Sequence, residues 1–97
     1  MEIVWTNHAL AMVNDFVDYI AQDDYITAKK WARELVSSTD KLCDHPRLGR
    51  IVPEFDEESL RELIIGNYRI VYRIKTDVIY IEAVWHVRQR PDKPPNT

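Results

Sequence analysis

Residues 60–74 read Leu60-Arg61-Glu62-Leu63-Ile64-Ile65-Gly66-Asn67-Tyr68-Arg69-Ile70-Val71-Tyr72-Arg73-Ile74. Two apolar-rich runs flank Gly66-Asn67, a pair able to take φ > 0, which is the turn chemistry of a tight hairpin. Along the second run arginine alternates with Tyr, Ile and Val, the pattern of a half-buried antiparallel strand whose successive side chains point to opposite faces. One face packs and the other is left free to act. A second hairpin through Thr76-Asp77 leads to a third run, Val78 to His86.

Two-residue loops fix the register, because directly opposed residues share a face. Ile65 then opposes Tyr68, Leu63 opposes Ile70 and Ile74 opposes Ile79. Leu63, Ile65, Tyr68, Ile70, Tyr72, Ile74, Ile79, Ile81, Ala83 and Trp85 fall on a core face. Glu62, Ile64, Arg69, Val71, Arg73, Tyr80, Glu82, Val84 and His86 fall on the open one.

Upstream, Glu2 to Trp5 reads as a short strand, and Thr6 or Asn7 can cap the helix that follows. Ala9, Met12, Val13, Phe16, Val17 and Ile20 form one apolar stripe at helical spacing. Gln22-Asp23-Asp24 breaks that pattern and can cap a second helix. The second helix sets Ala28, Trp31, Ala32, Leu35, Val36, Thr39, Leu42 and Cys43 on a common side; about nineteen residues long, it would span roughly 28 Å. Two helices joined by a short polar turn pair antiparallel. His45 to Ser59 is a long connection without a clear period, and residues 91–97, with three prolines, read as a flexible or extended tail. The expected fold is α+β: an N-terminal strand and an antiparallel two-helix hairpin packed on one face of a small antiparallel sheet. It forms a single domain over residues 1–90.

A chain of 97 residues is one domain that buries roughly 60 to 70% of its unfolded surface. Cys43 is the only cysteine, so no intramolecular disulfide forms, and it reads as a small buried apolar residue. No export or membrane segment is evident, and the expected location is cytoplasmic. Net charge is −3, unlike proteins that hold nucleic acid by neutralising phosphates. Seven of the eight arginines lie beyond residue 45, which assigns any anion-seeking surface to the carboxy-terminal half. Lys29, Lys30 and Arg33 read as a solvated helix face. His8, His45 and His86 are scattered, so no metal site and no cofactor are expected.

The open face carries the groups phosphoryl chemistry would use: Arg69 and Arg73 to neutralise phosphate, Glu62, Glu82 or His86 to move a proton. The same residues also make ordinary cross-strand ion pairs. Both readings stand on pattern alone.

Taken in order, Pro46-Arg47-Leu48-Gly49-Arg50-Ile51-Val52-Pro53-Glu54, Leu60-Arg61-Glu62-Leu63, Asn67-Tyr68-Arg69-Ile70-Val71-Tyr72-Arg73 and Val84-Trp85-His86 followed by Arg88 resemble the RelE/ParE superfamily, toxins of type II toxin–antitoxin systems and plasmid-stabilisation modules. The resemblance covers nearly the whole chain. It implies a growth-inhibiting toxin neutralised by a cognate antitoxin. For a RelE-type ribosome-dependent mRNA endoribonuclease it implies Arg69 as phosphate stabiliser, His86 as acid and Glu62 as base. Val87, where many ribonuclease branches have tyrosine, and the acidic balance favour instead the ParE-type branch, which inhibits DNA gyrase without being a nuclease. Arg50, Arg61, Arg69, Arg73, Glu82, Arg88 and Arg90 are then the residues expected to meet partners. A degenerate member that binds antitoxin without toxicity is a third possibility.

Overall fold

A computed structural model describes residues 1–94. In chain order it contains β1 (Glu2–Trp5), α1 (Asn7–Ala21), α2 (Tyr25–Ser37), a 3₁₀ turn (Asp40–Cys43), β2 (Arg50–Ile51), β3 (Leu60–Ile65), β4 (Tyr68–Ile74) and β5 (Val78–His86). The five strands form one sheet in the order β1-β5-β4-β3-β2. β1 runs parallel to β5, whereas the other pairs are antiparallel. The sheet is therefore mixed, and the helical hairpin packs on one of its faces. Of the proline-rich segment 91–97, Pro91 and Pro94 are buried, and residues 95–97 lie outside the described residues.

Caps place the helices. Thr6 Oγ1 accepts from Ala9 N (3.1 Å) and donates to Ile81 O (2.9 Å), which ties the start of α1 to β5, the strand beside the β1 edge. Asp24 accepts from the backbone N–H groups of Ile26 and Thr27 and from the Thr27 hydroxyl, so two helices follow one another with only three residues between them. The second helix is shorter than its apolar period suggests. Ser37, Ser38 and Thr39 bond their hydroxyls back to the carbonyls of Glu34, Leu35 and Val36; such bonds compete with helix continuation, and the chain leaves α2 for the 3₁₀ turn. That change of direction buries Leu42 but leaves Val36 and Cys43 exposed, against the expectation that both face the core. Cys43 Sγ instead donates to Met1 O at 2.9 Å.

The hairpin registers are as expected: Ile65 opposite Tyr68, Leu63 opposite Ile70, Ile74 opposite Ile79. Ala9, Val13, Leu35, Leu42, Ile70, Tyr72, Ile79 and Ile81 form the main core beneath the helices, and Phe16, Trp31, Tyr68 and Trp5 pack around it. The last residues of β5 depart from the alternation. Val71 opposes Ala83 but Tyr72 opposes Ile81, a bulge that leaves Glu82 as the extra residue. Beyond it every face is exchanged. Val84, opposite Ile70, enters the main core, and His86, opposite Tyr68, stands on the helical side. Ala83 and Trp85 move to the other face. The assignment of Ala83 and Trp85 to the helical core, and of Val84 and His86 to the open face, is thus reversed by one inserted residue.

The second face is not open either. Val52 and Leu60 join Val71 and Ala83 in a smaller core flanked by Phe55 and Trp85. Residues 50–58 begin as β2 at the sheet edge, and from Val52 to Glu57 they lie across that face, turning at Asp56, which takes φ 49°. Tyr72, fully buried, anchors the approach of this segment: its hydroxyl donates to Pro46 O and accepts from Gly49 N, both at 2.8 Å. A Cβ on Gly49 would lie 2.5 Å from Glu62 O and 2.7 Å from the Tyr72 hydroxyl. The position therefore requires glycine for close approach rather than for backbone freedom.

Candidate functional site

The charged residues of the second face form two ion-paired groups beneath that segment. Glu62, whose side chain is fully buried, accepts from Arg69 Nε and from Arg50 Nε, each at 2.7 Å. Arg69 turns its remaining two nitrogens onto Glu54, 2.7 and 2.6 Å from the two carboxylate oxygens. This bidentate contact holds the Glu54 carboxyl down to about 2 against the partial cost of its burial, and Glu54, with Glu62, raises the Arg69 guanidinium further above its ordinary value. Arg73 forms the second group. Its Nε lies 3.3 and 3.4 Å from the oxygens of Glu82, and its Nη1 lies 3.2 Å from Glu57, which Lys93 also contacts. The hydrogen bond from Lys93, followed by that from Arg73, lowers the Glu57 carboxyl. Arg73 Nη2 has no hydrogen-bond partner among the described residues.

The geometry separates the residues singled out in the sequence. Glu62, Arg69, Arg73 and Glu82 are brought together, as the alternation requires, but all four are buried. Arg50 joins them from the rim, more than half exposed. Arg61 opposes Tyr72 and so stands on the helical side, where it donates to Gly49 O and shares Glu58 with Arg47. Those hydrogen bonds, Arg47's first and Arg61's second, lower the Glu58 carboxyl. Arg88 and Arg90 are exposed just past the last strand. His86 lies across the sheet from Arg69 and Glu62. Its ring packs edge-on against Tyr68 at 5.4 Å, and its Nδ1 accepts from Arg88 N at 3.1 Å. It belongs to a shallow aromatic depression of about 320 Å³ lined with Phe16, Tyr19, Tyr68 and Asp15.

Arg69 has each of its three nitrogens committed to a carboxylate, and Glu62 receives two guanidinium donors. The donors with which Arg69 would meet a phosphate are thus already taken by carboxylates. As arranged, the group fastens the 50–58 segment to the sheet. Glu54 and Glu57, which close the two groups, are the residues that pattern reading passed over. The available signal was Val71 on the expected open face, together with Val52, Phe55 and Leu60 in and beside the connection: apolar residues on both sides imply a covered face. Among the described residues no three His, Cys, Asp or Glu side chains are grouped to hold a metal ion, and no helix is long and apolar enough to cross a membrane.

Comparison with known proteins places this architecture. The model of the ParE toxin of the type II toxin–antitoxin system parDE matches residues 3–91. The chain belongs to the ParE toxin family. It is 31% identical over 86 residues to Toxin RelE2 of Caulobacter vibrioides, covering 88% of this chain and 93% of that protein. It is 34% identical over 93 residues to the putative toxin Y4kP of Sinorhizobium fredii, covering 91% and 90%. Its fold matches a chain of the chromosomal ParDE system of P. aeruginosa with a TM-score of 0.75 over 89% of this chain and 95% of that one, at 21% identity. This ParE-family chain is therefore a type II toxin of the RelE/ParE superfamily, and such a system provides an antitoxin as its partner.

Proposed function

We propose that this ParE-family toxin arrests growth in the cytoplasm by binding DNA gyrase, and that it acts as a protein ligand rather than as a ribonuclease. The observation that carries the proposal is the position of the three groups a nuclease would need. Arg69 and Glu62 are committed to Glu54, Arg50 and each other, and His86 is on the opposite face of the sheet. General acid–base catalysis requires the acid and the base within reach of one substrate, an arrangement this geometry disfavours. The match to a ParE family model over residues 3–91 supports the same branch.

The resemblance to Toxin RelE2 keeps one competing reading, mRNA cleavage on the ribosome. The two differ in what arrested cells accumulate. Expression of the chain alone is expected to stop growth and to leave a reporter plasmid relaxed, with co-expressed antitoxin restoring both. Transcripts cut within codons, on a normally supercoiled plasmid, would favour the ribosome instead. Continued growth at high soluble expression would leave antitoxin binding as the remaining function.

A further inference from the structure

The sheet arginines are largely neutralised by their own glutamates, so the cations able to meet a partner lie elsewhere. On α2, Tyr25 and Ile26 are 64% and 77% exposed, a large apolar exposure for two adjacent residues. Lys29, Lys30 and Arg33 follow at i+4 from Tyr25, i+4 from Ile26 and i+3 from Lys30, so the five side chains share one helix face. They line a shallow depression of about 440 Å³ to which no carboxylate contributes. None of the three cations forms an ion pair among the described residues. Lys29 Nζ sits 5.6 Å from the Tyr25 ring centroid, a cation–π contact that holds both side chains over the depression. Of the two acids at the helix start, Asp23 and Asp24, the second is turned to its capping bonds.

We infer that this α2 face is a docking surface for an acidic protein segment carrying an apolar anchor, with Ile26 and Tyr25 receiving the anchor and Lys29, Lys30 and Arg33 pairing with its carboxylates. Charge complementarity selects the partner. A second copy meeting this face in a two-fold contact would bring the three cations against themselves, which like-charge repulsion opposes. Nucleic acid would use the cations but gives Ile26 nothing to bury, and the chain as a whole carries −3. An acidic amphipathic segment satisfies both the charge and the apolar area. The face is separate from the ion-paired sheet residues and from the depression around His86, so the inference does not depend on which cellular target is correct.

The test uses the full chain and a synthetic peptide in which two leucines are flanked by glutamates, with a DNA duplex as the competing probe. Amide NMR shifts on adding the peptide are expected to concentrate at residues 25–33. Lys29→Glu, Lys30→Glu and Arg33→Glu together should weaken binding by about tenfold or more, the sum expected for three exposed pairs. Ile26→Ser should weaken it in high salt as well as in low. Both variants change exposed side chains, and an unchanged melting temperature confirms that they fold. Shifts centred elsewhere, or no binding at millimolar peptide, would overturn the inference. So would DNA binding as tight as peptide binding and indifferent to Ile26→Ser, which would make the face a phosphate surface.

Discussion

Glu82 and Ala83 are consecutive in β5 yet serve the same face of the sheet: Glu82 pairs with Arg73, and Ala83 opposes Val71 in the smaller core. The bulge they form delivers a carboxylate to a buried arginine and, in the same step, sends His86 to the opposite side. Glu82→Ala should therefore act through stability. Removing one partner of a buried pair costs about 3 to 5 kcal/mol, reduced here because Arg73 keeps Glu57. A urea midpoint lowered without a change in slope is the expected result; an unaltered midpoint would mean that the pair contributes nothing.

Glu62 sits deeper in its network, between Arg69 and Arg50. Glu62→Ala should destabilise the fold by about 3 kcal/mol or more, and Glu62→Gln by less because the amide oxygen still accepts one bond. Chemical denaturation of the two variants distinguishes a structural carboxylate from a catalytic one, since a catalytic base would be lost with little change in stability.

The ion-paired carboxylates should make the protein acid-labile. Glu54 is held at about 2, chiefly by the Arg69 hydrogen bond, below the ordinary carboxylate value in the unfolded chain. Its contribution is present above roughly pH 4.5 and is lost as pH falls toward 2. Glu57 and Glu58 are also lowered and act in the same sense. Melting temperature should fall across that interval, and Glu54→Gln should flatten the fall. A variant whose profile overlays the parent's would show that the contact to Arg69 is not maintained in solution.

How far the sequence could be read depends on which side chains carried the information. Period-2 alternation in Tyr68–Ile74 and the Gly66-Asn67 turn gave the hairpin and its register, because local chemistry alone decides both. The bulge at Glu82 left no such signal; nothing in Ile81-Glu82-Ala83-Val84 distinguishes a regular strand from one with an extra residue, and the pairing with Arg73 and Val71 is a tertiary choice. The end of α2 was misplaced for a related reason, since Val36, Thr39, Leu42 and Cys43 fit an apolar helical period while the hydroxyls of Ser37, Ser38 and Thr39 favour leaving it. The candidate arginines and glutamates were legible as a group, but their burial was not, because the covering segment has no period of its own.

Core assignments bear on the same point. Ile70 is fully buried beneath the helices, and Ile70→Ala should cost about 2 to 5 kcal/mol. A loss below about 0.5 kcal/mol would mean that Ile70 is not packed in the core. Gly49→Ala should cost about 1 to 3 kcal/mol through overpacking against Glu62 O and Tyr72. Tyr72→Phe, which strips partners from Pro46 O and Gly49 N, should cost a similar amount. Equilibrium unfolding of the double variant should give less than the sum of the two, because both changes loosen the same contact.

Supercoiling of relaxed plasmid by purified gyrase, with the chain titrated in, bears most directly on the proposal that this toxin is a protein ligand of gyrase with no nuclease centre. The expected outcome is inhibition by the parent protein and by a folded His86→Ala variant alike. Unimpeded supercoiling, together with mRNA cut on translating ribosomes at a rate that His86→Ala or Arg69→Ala lowers by about a hundredfold, would contradict it.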